Sequence, residues 1–326
     1  MADNSSLVGG ESLRQINDRV IIVQVLVMIF LCINSLLIMT FFKKECFYTT
    51  TRYILFALTL LSDSMILLLT DILLIMTYFG FTMQVGLCIV ICFMLYIFYT
   101  VTSVTLTAMT LERYVAICMP LRHGELCSTR NTFHCILIIH GLSSVPCIVI
   151  LSTLFASVSL SFYSQFILCS MEMFLVHKWQ DHLMSAINQF YFLIMIITIV
   201  FCYVKIMKVA KVASGENKKS TSKGLRTVLL HGFQLVLCLI QLWCPSVESA
   251  ILQIDLILFI QVKYFNYVIF GLAPRCLSPL IYGLRDEKFF LELKSYTFFS
   301  FQKITGFTIN NNKCCIIYCR CHYQCY

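Results

Sequence analysis

Charged side chains are scarce in this chain. Only 12% of its 326 residues are Asp, Glu, Lys or Arg, about half of the roughly 25% found in soluble domains, so the polar surface of a water-soluble fold is missing. Apolar residues reach 59% and the mean hydropathy is +0.85. The length is therefore counted in membrane spans of about 20 residues, and about seven fit with short loops. Other absences narrow the class further. No repeat at a fixed period links the halves, which argues against an inverted-repeat transporter. Neither His-Glu-x-x-His nor Gly-x-Ser-x-Gly occurs, which argues against an intramembrane enzyme. No cleavable signal peptide is evident: the start is polar through Asp18, and the first apolar run is too long for a signal core. The first span is expected to act as its own insertion signal.

What is present is a series of apolar runs. They cover about Val20 to Phe42, Tyr53 to Met76, Val85 to Met109, Phe133 to Phe155 and Ala186 to Ile206, then a sixth from Thr227 through Trp243 and a seventh from about Val262 to Tyr282. Span six is the least hydrophobic, with His231, Gln234 and Gln241. Trp243 falls roughly twenty residues from Gly224, which places it near the far face of a continuous helix. Pro146 interrupts span four, tolerable where a neighbour satisfies the freed carbonyl. Segment 1–19 is polar and contains Asn4-Ser5-Ser6, a glycosylation sequon if it is lumenal. Residues 285–301 alternate charges with Phe and Leu, as an amphipathic interfacial helix does. The remaining 302–326 is a cysteine-rich tail.

The net charge of +8 is explained by topology rather than by nucleic acid. Nineteen of the 24 Lys and Arg fall in the first, second and third loops of one side and in the tail, whereas Arg14, Arg19, Lys178 and Lys263 lie on the other. The positive-inside rule puts the N-terminus outside and the tail in the cytoplasm, which needs an odd number of spans. The expected fold is an all-α seven-transmembrane bundle over 20–284 with a short amphipathic helix behind it.

Ionisable groups at membrane depth are costly and are usually kept for a function or a partner. Glu112 and Arg113, at the foot of span three, are the first candidates. Asn34, Asp63 and Arg275 lie within spans one, two and seven, and Arg275 is a candidate partner for Asp63. Counting inward from Cys88, helical spacing puts Leu95, Tyr96, Tyr99, Thr100 and Ser103 on one stripe of span three. Gln189, Phe190, Leu239, Gln241, Tyr264 and Gly271 are the facing candidates for a largely apolar pocket suited to a small neutral or amphipathic molecule. No central acid occurs in these spans, and Asp71 and Glu248 are placed at the rim.

The stretch Leu111-Glu-Arg-Tyr-Val-Ala-Ile-Cys-Met-Pro-Leu-Arg-His123 resembles the end of span three in odorant receptors, a branch of the rhodopsin-like G-protein-coupled receptors. Lys223-Gly-Leu-Arg-Thr-Val-Leu-Leu-His231 and Pro279-Leu-Ile-Tyr-Gly-Leu-Arg285 resemble that family's entry to span six and exit from span seven. The run Ser214 to Phe290 is similar to fish-type odorant receptors, and the resemblance covers about Asn17 to Tyr296.

This resemblance implies a receptor that binds a small odorant and activates a stimulatory heterotrimeric G protein in the plasma membrane of sensory cilia, with no cofactor, metal or nucleic acid. It makes Arg113 a cytoplasmic switch held at rest by Glu112, with Tyr114 beside it and Tyr203 and Tyr282 repacking on activation. Where the family more often has Asp, this chain has Glu112. It implies a disulfide between Cys88 and Cys169, and a buried polar pair in Asn34 and Asp63. Ser278-Pro279 replaces the Asn-Pro of other rhodopsin-like receptors, as odorant receptors do. Trp243-Cys244-Pro245 resembles their tryptophan switch, but its expected place near the outer end argues against that role. The tail Cys314 to Cys325 matches no structural zinc spacing; palmitoylation is open to it, and an unconstrained end is the simpler reading. The competing reading, a multi-span transporter or channel, is opposed by continuous helices, the missing repeat and the few membrane acids.

Overall fold

The computed structural model describes the backbone of residues 2–170, 176–213, 218–283 and 289–294, and the side chains of 17–170, 176–212, 229–281 and 289–294. Seven helical segments among these residues are long and apolar enough to cross a membrane: 17–42, 51–78, 85–118, 129–157, 178–212, 229–252 and 256–281. They belong to α1 (Ala2–Phe42), α3 (Thr51–Tyr78), α4 (Val85–Cys118), α6 (Thr129–Ser157), α7 (Lys178–Ala213), the pair α8 (Lys218–Ile240) and α9 (Cys244–Leu252), and the pair α10 (Leu256–Asn266) and α11 (Ala273–Ser278). The short α2 (Glu45–Tyr48) and α5 (Pro120–Leu126) turn the chain between spans. We call the Cys88 end of the bundle outer and the Arg113 end inner.

Half of the apolar window of α4 is buried, more than in any other span, so this helix is the axis of the bundle. The main core joins Leu37, Leu60, Leu106, Met109, Ile139, Ile199, Leu235 and Leu239 across six spans. Outward-facing Leu137, Ile148 and Ile197 remain exposed, which suits lipid rather than water. Hydroxyls inside α4 are satisfied locally: Thr105, Thr107 and Thr110 each donate to a carbonyl four residues back, at 2.6 to 3.0 Å.

Pro146 removes the N–H that would bond the Leu142 carbonyl. Tyr191 of α7 supplies the replacement, its hydroxyl donating to Leu142 O at 2.7 Å. At the outer end a disulfide joins Cys88 to Cys169. Two short antiparallel strands, β1 (Met83–Gln84) and β2 (Phe166–Ile167), lie beside it. At the inner end, helical residues 289–294 dock on the first turn between spans. Phe289 is buried against Phe47, Tyr53 and Phe56, and Lys44 pairs with Glu292. The rest of the expected 285–301 helix lies outside the described residues or beyond their side chains.

Two expectations of the sequence are corrected. Span six is not continuous: it breaks after Ile240 and restarts at Cys244-Pro245, because proline fits the first turn of a helix and not its interior. The span then runs on to Leu252, so Trp243 sits at a break within it rather than at its outer end. Its ring lies 5.1 Å from that of Phe192 and remains 47% exposed. Span seven also departs from a plain α-helix, with wider π turns at Tyr267–Leu272 and Pro279–Gly283, a rare form that occurs mostly as single-turn bulges inside α-helices.

The Tyr191–Leu142 contact gives a direct check on how the proline is accommodated. Tyr191→Phe is expected to lower the melting midpoint of the solubilised protein, through loss of about 1–3 kcal/mol for an orphaned carbonyl. In a Pro146→Ala background, where the helix bonds that carbonyl itself, the same change is expected to cost little.

Candidate functional site

The deepest part of the site is a charge centre around Asp63, which is fully buried in α3. Ser278 Oγ donates to Asp63 Oδ2 at 2.6 Å, and Thr102 Oγ1 to Oδ1 at 3.4 Å. Arg275 Nε stands 3.8 Å from Oδ1. Gln234 Nε2 donates to Ser278 Oγ at 2.6 Å and to the Pro274 carbonyl at 3.2 Å. Arg275, 0% exposed, donates from Nη1 to the Phe270 carbonyl at 2.8 Å. Its guanidinium lies over the Tyr99 ring, 4.7 Å from the centroid. Spans two, three, six and seven therefore meet at one carboxylate. Asn34 is also fully buried, but no hydrogen bond joins it to Asp63.

The span-three stripe lies just outside this centre. Leu95, Tyr96, Thr100 and Ser103 are buried and Tyr99 is half-buried. Thr100 and Ser103 donate to the carbonyls of Tyr96 and Tyr99, at 2.9 and 3.1 Å, so the helix itself uses these hydroxyls. Tyr96 donates its hydroxyl to Asn188 Oδ1 at 2.6 Å. Gly271 faces Tyr99: a Cβ there would stand 3.3 Å from the Tyr267 ring and 3.8 Å from the Tyr99 hydroxyl. Leu239 is buried in the main core. Gln241 lies in the break of span six, its Oε1 buried and without a hydrogen-bond partner among the described residues. Tyr264 lies toward the rim, under the Arg19 guanidinium at 5.2 Å.

Span five departs from the expected register. Gln189 and Phe190 are exposed on the outer surface of the bundle, Phe190 by 60%, and Met184, Asn188 and Met195 face inward instead. This span is apolar nearly all round, so periodicity fixes its rotation poorly.

At the inner end, Glu112 does not reach for its neighbour Arg113. Its Oε1 takes His123 Nε2 at 3.2 Å, across the turn into α5, because adjacent residues on a helix do not face each other. Burial pushes the nearby Cys127 thiol above its ordinary value, with Glu112 adding to the effect, so this thiol stays protonated and unreactive. Arg113 lies within electrostatic reach of His231 on α8. His231 Nε2 in turn is 3.1 Å from Thr110 Oγ1 and 3.3 Å from the Leu106 carbonyl. The ring of Tyr203 packs against Gly232, where a Cβ would come within 3.3 Å, and Tyr114 meets Phe201 at 5.7 Å.

Residues 33–282 match the family described as 7 transmembrane receptor (rhodopsin family). Across 295 residues the chain is 44% identical to Odorant receptor 131-2 of Danio rerio, covering 90% of each sequence. The chain belongs to the rhodopsin family of seven-transmembrane receptors. It is an odorant-type G-protein-coupled receptor and not an enzyme. In this receptor, α4 carries the Cys88–Cys169 bond at one end and Arg113 at the other, with the polar stripe and Thr102 between them.

Several receptor positions were not among the site residues expected from the sequence. Gln234, Ser278, Thr102, Asn188 and His231 all hold buried bonds that join separate spans. Polarity at membrane depth was the available signal for Gln234 and His231; nothing local distinguished Thr102 from its neighbouring hydroxyls. The side chains of Asn4 and Tyr282 and the tail cysteines lie outside those described.

The Ser278 hydroxyl gives to Asp63 and receives from Gln234, so its removal orphans Asp63 Oδ2 and takes one of the two bonds that Gln234 Nε2 makes. Ser278→Ala is expected to destabilise the solubilised receptor by about 1–3 kcal/mol, read as a lower melting midpoint. An unchanged midpoint would show that the bridge contributes nothing.

Proposed function

We propose that a small odorant molecule binds between the outer halves of spans three, five, six and seven, and that binding opens the inner face to a stimulatory heterotrimeric G protein at the plasma membrane. In this reading the polar N-terminus is extracellular, with Asn4 glycosylated, and the segment from 285 onward is cytoplasmic. Tyr96, Tyr99, Gln241, Tyr264 and Gly271 border the ligand, with Leu95, Thr100, Ser103 and Leu239 shaping the wall. Asn188 takes the place first given to Gln189 and Phe190.

One observation carries the reading: a single rigid helix, α4, connects the stripe to the inner arginine. Along it, Tyr99 touches Arg275, and Asp63 ties Arg275 to Thr102 and, through Ser278, to Gln234 of span six. A ligand that shifts Tyr99 therefore acts on a charge centre linked to the helix that must move. His231 lies two turns closer to the inner end than Leu239, between that centre and Arg113. Release of the His231 contacts to Leu106 and Thr110 would swing α8 away and free Arg113. Glu112 restrains the region through His123 rather than by holding Arg113 directly.

The test is a cAMP reporter in cells that express the receptor, challenged with a panel of water-borne odorants. Arg113→Ala is expected to abolish the ligand-driven cAMP rise while surface labelling remains at the wild-type level. Retained signalling in that variant would remove Arg113 from the mechanism.

A further inference from the structure

Three sulfurs converge at the outer end of the bundle. Cys88 and Cys92 lie four residues apart on α4, so they share one face of the helix, one turn apart. Cys169, just after β2, reaches that face and closes the disulfide with Cys88. Cys92 retains its thiol, with Sγ 3.6 Å from Cys169 Sγ and 4.0 Å from Cys88 Sγ. Cys88 and Cys92 are 0% exposed and Cys169 is 9% exposed, and Ile89, Ile150, Leu154 and Met184 share their apolar cluster. One buried cysteine in such surroundings is a small hydrophobe; three sulfurs at these separations offer more.

The separations suit a shared metal ion. At a metal–sulfur bond of about 2.3 Å, sulfurs that bind one ion stand about 3.8 to 4.0 Å apart. Both distances from Cys92 already fall near that span, so only the Cys88–Cys169 pair has to open. A dithiol opens it: Cys88 and Cys169 take up two electrons and two protons, their S–S bond breaks, and the dithiol leaves as a cyclic disulfide. Backbone bonds keep the reduced loop in place. Strands β1 and β2 pair at Met83 and Ile167, and the Val85 N–H donates to the Gln165 carbonyl at 2.9 Å.

We propose that, with the disulfide reduced, Cys88, Cys92 and Cys169 form a three-thiolate site for the soft ion Cu(I). Thiolate sulfur selects soft ions over calcium and magnesium, which take oxygen ligands. Among the described residues no fourth Cys, His, Asp or Glu joins the three sulfurs, and structural zinc almost always takes four ligands, so the set favours a three-coordinate ion. Each thiol gives up its proton as the ion binds. Disulfide and ion are then alternative ways to fasten the same loop to α4, one turn outward from Leu95 and Tyr96. An oxidising exterior keeps the disulfide and excludes the ion; reduction admits it.

The test uses the full-length solubilised receptor, reduced with dithiothreitol, desalted without oxygen and titrated with Cu(I) buffered by bicinchoninate. Cu(I) is expected to raise the melting midpoint of the reduced wild type, because an ion that binds only the folded site stabilises it. Cys92→Ala, which leaves the disulfide pair intact, is expected to bind one equivalent fewer than the wild type and to lose that rise. Cys32→Ala, at an exposed cysteine of α1, is expected to change neither. Comparison between these proteins subtracts binding by all other cysteines, the tail included. No rise in the reduced wild type, a measurement that needs no variant to fold, overturns the assignment. Equal stoichiometry or an equal rise in Cys92→Ala also overturns it. Loss of the fold on reduction does the same, since Cys169 would then leave the site.

Discussion

The rest of the structure depends on the pairing of Asp63 with Arg275 in a place water does not reach. A carboxylate alone at that depth is expensive, and so is a guanidinium. Together, with Ser278 and Thr102 donating to the carboxylate and the Phe270 carbonyl accepting from the guanidinium, they become tolerable only if spans two, three and seven hold one relative position. Gln234 extends the constraint to span six. The apolar core supplies most of the buried area, but apolar faces tolerate sliding and rotation more readily than a bonded charge does.

The centre also lies on the route of the proposed mechanism. Tyr99 carries the Arg275 guanidinium over its ring. On the proposed reading, a ligand that moves Tyr99 reaches the charge centre through that ring. Toward the inner end, His231 joins span six to span three by polar contacts rather than by a tight apolar interlock. The break at Ile240 to Cys244 divides span six into an outer part, α9, and an inner part, α8. The disulfide at Cys88 and the docking of Phe289 at the inner end restrain the two extremes of the bundle.

Much of this was legible in the sequence. Seven spans follow from hydropathy, because that effect is summed over many residues. The Asp63 and Arg275 contact was accessible too, since two charges at membrane depth leave few alternatives. What did not read through is where backbone geometry sets the outcome. Prolines at 245, 274 and 279 permit several distortions, and only packing selects the break in span six and the π turns in span seven. The register of span five was equally hidden: with Phe190, Tyr191 and Phe192 in succession, apolar content does not say which face is inside, and one residue of error exchanged Asn188 for Gln189. The Glu112 partner was misplaced for a simpler reason, that neighbours along a helix point apart while His123 folds back.

The most direct test of the central role of the charge pair is a double-mutant cycle on the solubilised receptor. Melting midpoints of Asp63→Asn, Arg275→Gln and the double variant would be compared with the wild type. Each single change is predicted to cost about 3–5 kcal/mol by leaving the other charge buried and uncompensated, whereas the double variant recovers a large part of that loss. Losses that simply add would contradict the account, because Asp63 and Arg275 would then contribute independently and the four spans would not be held by their pairing.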